Sequence, residues 1–287
     1  MSLFTIYMKI NCLSKLSFLN ISIPRIYNNT LIKIPLLGGN KVGISNEAWM
    51  NDLLKEVHAI KKIKRFYDIG ANMGQTLVKV KTIDNSIHYH AFEPNYLCTP
   101  YLQKLIRINN WKNTYIYPFG LFNKDSIHSL EGQNDFDKCS SILPQYSDIK
   151  HFDAEDYTSK ITSFYSYETI NNFIGNDKVD IIKIDTEGTE LEVITSIKSL
   201  IQRDLPLIFI EILPSKKDNQ DTILRNQELD IYIRELNYIP YRINKKLKQR
   251  FCSLEKRISM GDYAHMDFID HLLIPCNKVD IYKHLMK

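Results

Sequence analysis

Apolar and polar positions along the 287-residue chain fall into two regimes that divide near residue 64. From Arg65 onward, short β-branched or aromatic runs (RFYDI, IHYHAF, TYIYPFGL, VDIIKI and LPLIFIEI) alternate with stretches of helical periodicity. That rhythm predicts buried parallel strands joined by helices over 74–82, 96–108, 189–202 and 221–236. Pro100 fits an early helical turn, where no N–H is needed, and Leu191, Ile194 and Ile197 share one helical face. YIPYRI and FIDHLLIP are two further strand candidates that could close the sheet edge. Repeated β-α units of this kind predict a doubly wound α/β domain with a mostly parallel sheet over 65–287. Residues 1–64 read as an N-terminal extension. In it, TLIKIPLLGGNKVGI predicts two strands around a Gly38-Gly39-Asn40 turn, and Trp49, Leu53, Val57 and Ile60 form the stripe of an amphipathic packing helix. Residues 131–160 show no clear period and read as a long functional loop. The basic cluster NKKLKQR near residue 247 reads as a solvated face.

Composition narrows the classes. With 44% hydrophobic residues the chain can bury a sizeable core, and 37 basic against 33 acidic residues, net +4, fall far short of a nucleic-acid-binding excess. The five cysteines, Cys12, Cys98, Cys139, Cys252 and Cys276, are widely spaced and form no CxxC pair. They predict neither a disulfide framework nor a zinc site, and reduced thiols suit a cytoplasmic protein. The apolar N-terminus is broken by Lys9, Asn11, Lys15 and Asn20, so neither a targeting segment nor a membrane span is expected.

The chemistry is concentrated in the first β-α turn. A chain with 10 glycines places Gly70 and Gly74 directly behind Asp68, in DIGANMG. In an open α/β sheet this turn lies where backbone approaches a ligand outside the C-terminal strand ends, and Glu93, closing the next strand in HAFEPN, stands where a carboxylate can accept from a ribose diol. An adenosine-bearing ligand follows. The G-x-x-x-G spacing departs from the G-x-G-x-x-G dinucleotide fingerprint, and the carboxylate of Asp68 would repel a diphosphate while attracting the sulfonium and ammonium of S-adenosylmethionine. The lesser alternative is that Asp68 merely caps the helix after the turn.

DIGANMG, FEPN and IIKIDTEGTELEVI together resemble the motifs of the FkbM-type family of S-adenosylmethionine-dependent methyltransferases, and K-x-D-x-E-G-x-E after a buried strand is the most specific of them. The resemblance spans roughly residues 31 to 275. It implies a seven-stranded class I methyltransferase fold, Rossmann-like, with Asp68, Gly70, Asn72, Gly74 and Glu93 at the cofactor. It also implies methyl transfer, commonly to a hydroxyl of a saccharide or other small-molecule acceptor.

Asp185 and Glu187 leave the fourth strand at its C-terminal rim, where cofactor and acceptor meet in such a sheet, and Glu211 ends the fifth. Asp185 is the first candidate for base or acceptor-orienting group; alternatively it only holds the Gly188 turn. Glu211 could line the acceptor pocket or join Asp185 on a divalent cation, but two carboxylates without a third ligand give no metal site. Lys183 is expected to pair with one of these acids, and Glu190 to favour the following helix N-terminus. His88 and His90 precede Glu93 on their strand, away from the ligand edge, and read as structural; His265 is a second candidate base. The competing class is a non-catalytic S-adenosylmethionine- or nucleotide-binding module in a biosynthetic assembly. An NAD-dependent sugar oxidoreductase is disfavoured by the glycine spacing. Oligomeric state is not legible.

Overall fold

A computed structural model describes residues 21–36, 41–132, 140–143, 158–215, 219–257 and 269–286. Strands β3 (Arg65–Ile69), β4 (His88–Phe92), β5 (Thr114–Tyr117), β9 (Ile181–Ile184) and β10 (Leu207–Glu211) lie side by side in the order β5-β4-β3-β9-β10, all parallel. Every residue of β3 and β9 is buried, so these strands read as mostly apolar runs in which Arg65, Asp68 and Lys183 are buried charges. The sheet continues through β13 (Asp270–Pro275), antiparallel to β10, then β11 (Tyr238–Lys246) and β12 (Arg250–Lys256), each antiparallel to its neighbour. YIPYRI and the described part of FIDHLLIP thus both form strands of the sheet, but neither is its edge: β13 lies between β10 and β11, and β12 stands outermost.

The resulting eight-stranded sheet has one strand beyond the seven implied by the family resemblance. The extra strand, β12, arises because NKKLKQR does more than face solvent. A short 3-10 turn over Leu247–Gln249, with Lys248 and Gln249 at φ of 60° and 56°, reverses the chain so that FCSLEK pairs back on β11.

Helices α1 (Ala48–Ile60), α2 (Gln75–Ile83), α3 (Cys98–Ile108), α4 (Tyr167–Ile174), α5 (Glu190–Ser196), α6 (Lys198–Asp204) and α7 (Gln220–Glu235) cover the sheet. The predicted 189–202 helix is broken at Ile197, which caps both α5 and α6. Two apolar layers result. One gathers Trp49, Leu53, Leu77, Tyr101 and Phe209, the other Ile182, Ile194, Ile201, Ile210 and Ile233. The Trp49, Leu53 and Val57 stripe of α1 is buried in the first layer, so the segment before Arg65 shares the core of the sheet.

The N-terminal hairpin forms with a different turn. Strand β2 (Thr30–Pro35) pairs with β1 (Ser22–Tyr27) before it, around Asn28-Asn29, both in the left-handed region at φ 48° and 60°. Asparagine tolerates that region, as a two-residue hairpin turn requires. The Gly38-Gly39-Asn40 turn lies outside the described residues, and 41–43 form no strand.

The long 131–160 segment is partly strand. Its ends belong to β7 (Ser126–Gly132) and β8 (Thr158–Tyr165), which form a small sheet with β6 (Gly120–Leu121). Residues 133–139 and 144–157 lie outside the described residues, as do the N-terminal 20 residues, Cys12, Cys139 and His265. Cys98 and Cys276 are free thiols. Among the described residues no helix is long and apolar enough to cross a membrane.

Candidate functional site

The DIGANMG turn is built on left-handed backbone: Gly70, Asn72 and Gly74 have φ of 87°, 44° and 86°. It folds onto the end of β4, with the Gly70 and Ala71 N–H groups donating to the Phe92 carbonyl at 3.0 and 3.2 Å. Gly70 meets a tight backbone requirement: a Cβ there would stand 1.8 Å from the Asp185 carbonyl oxygen, so the bare residue lets the turn pass against the end of β9. A Cβ at Gly74 would meet Leu102 at 2.8 Å.

Beside this turn opens a cleft of about 320 Å³ at the C-terminal strand ends, a size suited to a small-molecule cofactor. Glu93 marks one part of it. Its Oε2 accepts from the Asn72 N–H at 2.5 Å and its Oε1 from the Asn95 N–H at 2.7 Å, so the carboxylate is clamped and 5% exposed. Burial pushes its pKa up to about 7 against the opposing pull of those two N–H groups. Leu121, Leu130, Ile142 and Phe164 supply an apolar wall; Gly120 leaves room for the Phe164 ring, which a Cβ would meet at 2.2 Å.

Acids gather on the opposite rim. Asp185, Glu187 and Glu211 all line the cleft, and one carboxylate oxygen from each lies within 4.8 Å of the others, a spacing able to hold a cation. Glu187 supplies the third carboxylate that the sequence reading lacked for such a cluster. It sits at φ 55° in a turn braced from several sides. Buried Glu190 accepts through Oε1 from the Thr186 and Gly188 N–H groups, each at 3.1 Å, and from the Thr186 hydroxyl. Arg225 of α7 donates to the Gly188 carbonyl at 3.0 Å, and the Ser141 hydroxyl to the Glu187 carbonyl at 2.7 Å. Glu190 therefore shapes the turn rather than the cleft. Ser140 and Ile142, from the described part of the long loop, line the same cavity.

Lys183 connects the two strand ends. Its Nζ lies 2.9 Å from Asp185 Oδ2, 3.5 Å from Asp68 Oδ1, and donates to the Gly70 carbonyl at 3.4 Å. Burial opposes its charge, but Asp185 and Asp68 more than offset this and hold its pKa above the ordinary lysine value. Asp68 is fully buried and turns to Lys183 and the Tyr89 hydroxyl, which donates to its Oδ2; it is absent from the cleft wall, so its charge reaches the ligand side only through Lys183. Nor does it cap α2, whose cap residue is Gly74. Glu211 is held well above the usual carboxylate range by burial first, then by Asp185 and Asp270. Asp185 carries the lysine contact.

The remaining candidates fall elsewhere. His90 is packed against Tyr67 and Tyr115 with ring centroids at 4.8 Å, bonded to Arg65 and Tyr117, and contributes nothing to the cleft wall. The sequence reading missed Val42, Gly43, Asn46 and Glu47, which wall the cavity from the N-terminal side.

A family model described as the Methyltransferase FkbM domain matches residues 68–240. No curated protein matches the chain. Among solved structures, methyltransferase FkbM from Methylobacillus flagellatus KT is similar over 74% of this chain and 43% of its own, at 14% identity and a TM-score of 0.46. An O-methyltransferase from Bacillus cereus in complex with SAH is similar over 79% of this chain and 80% of its own, at 7% identity and a TM-score of 0.43. The chain thus spans less than half the length of the Methylobacillus protein.

Proposed function

The chain belongs to the FkbM methyltransferase family, and from that premise we propose that it transfers the methyl group of S-adenosylmethionine to a hydroxyl of a saccharide or related biosynthetic intermediate. The observation that carries the reading is the distribution of charge around the cleft. A clamped carboxylate, Glu93, suits a ribose diol, an apolar wall suits a base, and the acid-rich rim suits a cationic sulfonium next to a hydroxylated acceptor. A dinucleotide's diphosphate would meet carboxylates there. When bound, the cofactor supplies an electrophilic methyl group on sulfur, and the protein's own work is alignment and proton removal.

In this reading each Glu93 oxygen, already holding one backbone N–H, takes one ribose hydroxyl through its second lone pair. Asp185 accepts the hydrogen bond of the acceptor hydroxyl and then its proton, with Lys183 fixing the carboxylate from behind. Glu211 and Glu187 complete the rim. Saccharides suit such a rim because they offer several hydroxyl donors at once.

A panel of activated sugars and glycans incubated with methyl-labelled S-adenosylmethionine tests the activity. Label in an alkali-stable ether supports it; label in an ester or on nitrogen overturns transfer to a hydroxyl.

Two outcomes follow for Glu93. Glu93→Ala should weaken cofactor binding by about 1–3 kcal/mol, because the diol loses a charged acceptor. Calorimetry with S-adenosylhomocysteine reads this directly. Since ionised Glu93 is the better acceptor, affinity should rise as pH climbs through about 7, and Glu93→Gln should flatten the profile. Without ligand the sign reverses. The native state holds this proton more tightly than the unfolded chain, so the contribution of Glu93 to stability is full below pH 4.5 and is lost as pH rises through about 7.

A further inference from the structure

The family match begins at Asp68, yet a wall of the cleft comes from residues before it. We propose that Glu47, on that N-terminal wall, binds the α-ammonium group of the amino-acid portion of S-adenosylmethionine. The inference rests on the cofactor reading above and adds to it a residue outside the matched domain.

Glu47 occupies the left-handed region at φ 50°, ψ 51°, immediately before α1. A non-glycine residue there is strained and persists where surrounding contacts over-determine it. Two such contacts hold this side chain. Lys79 Nζ lies 3.2 Å from its Oε2, and the Gln75 side chain also hydrogen-bonds to it. The Lys79 side chain is 0% exposed, so it secures Glu47 from beneath without itself reaching a ligand. A carboxylate offers about four acceptor positions, and two protein donors leave room for an ammonium. Burial disfavours the charge on Glu47, but Lys79 and Lys183 more than offset this and keep it ionised at neutral pH.

The position suits the ligand's polarity. Glu47 borders the cleft beside Asn72, Gln75 and Thr76 of the glycine turn and the α2 start, so a nucleoside held by its diol at Glu93 can run its 5′ substituent along the turn toward it. The first turn of α2 carries no side-chain cap from Gly74 and faces the same wall through Gln75 and Thr76. Its dipole favours the α-carboxylate where Glu47 favours the α-ammonium, so the pair complements a zwitterion.

Calorimetry on the full chain tests the assignment with two ligands: S-adenosylhomocysteine and its deaminated analogue, which keeps the carboxylate but lacks the amino group. Wild-type protein should bind the deaminated analogue about 10–100-fold more weakly, the range for loss of a charge-assisted hydrogen bond. Glu47→Gln should weaken S-adenosylhomocysteine by a similar factor and bind the two ligands nearly alike, the retained nucleoside affinity showing that the variant is folded. Wild-type protein that binds both ligands equally overturns the assignment, as does a Glu47→Gln variant that still discriminates between them. Wild-type protein that binds neither ligand overturns the cofactor reading, and this inference with it.

Discussion

Asp185→Asn is expected to lower turnover by about 10²–10⁴-fold, the range for a positioned acid-base group, while S-adenosylhomocysteine affinity stays within a few-fold of wild type. The split follows from geometry. Asp185 Oδ2 is fixed at 2.9 Å by Lys183, and the carboxylate lines the acid rim, whereas the proposed ribose contact is Glu93, just past the end of β4. The asparagine keeps the shape but cannot take a proton. Glu187→Gln should cost less if its role is to complete the rim. The comparison needs an acceptor identified in the labelling screen, and reads kcat beside the dissociation constant. Undiminished turnover in Asp185→Asn would remove this residue from the mechanism and shift attention to Glu211.

Gly70→Ala is expected to be the most damaging single-methyl change in the turn. The added carbon would stand 1.8 Å from the Asp185 backbone oxygen at a φ of 87°, and neither element can yield easily: β3 and β9 are both central and fully buried. Backbone strain combined with a steric collision places the loss at about 3–5 kcal/mol, in the exceptional tail for point mutants. Thermal melting should show a large drop together with loss of S-adenosylhomocysteine binding, because the same displacement moves Asp185. A variant with native stability would mean that the two strand ends are further apart than the structure has them.

How legible the molecule was depends on whether a feature is local. The parallel strands were readable because burial on both faces makes them predominantly apolar, with Asp68 in FYDI and Lys183 in IIKI as single buried charges. Strands β7 and β8 were hidden for the converse reason. SIHSLEG lies in a small sheet with most of its side chains partly or fully exposed, so its composition is that of a loop. The hairpin turn had a signal that the glycine pair at 38–39 outweighed: Asn28-Asn29 between two strand-like runs is also turn chemistry. Strand β12 depended on a reversal at Lys248 and Gln249, residues with no special claim to the left-handed region.

The site divides along the same line. Gly70, Gly74, Glu93 and Asp185 stand in motifs whose spacing carries their role, and the structure brings Gly70, Asn72, Glu93, Asp185, Glu187 and Glu211 to one cavity. The burial of Asp68 was not legible, because its partners Tyr89 and Lys183 come from neighbouring strands in a register that only the folded sheet fixes. Glu47 was invisible for a related reason. It reads as the polar start of a packing helix, and only the close approach of Lys79 aims it at the cleft.

The most direct measurement is a calorimetric titration of the wild-type protein with S-adenosylhomocysteine and, separately, with NADH, at pH 8 where Glu93 is ionised. The account predicts saturable one-to-one binding of S-adenosylhomocysteine, weakened by Glu93→Ala, and no measurable heat with NADH. Tight binding of NADH with none of S-adenosylhomocysteine would contradict it, because the carboxylates of the cleft would then be tolerating a diphosphate.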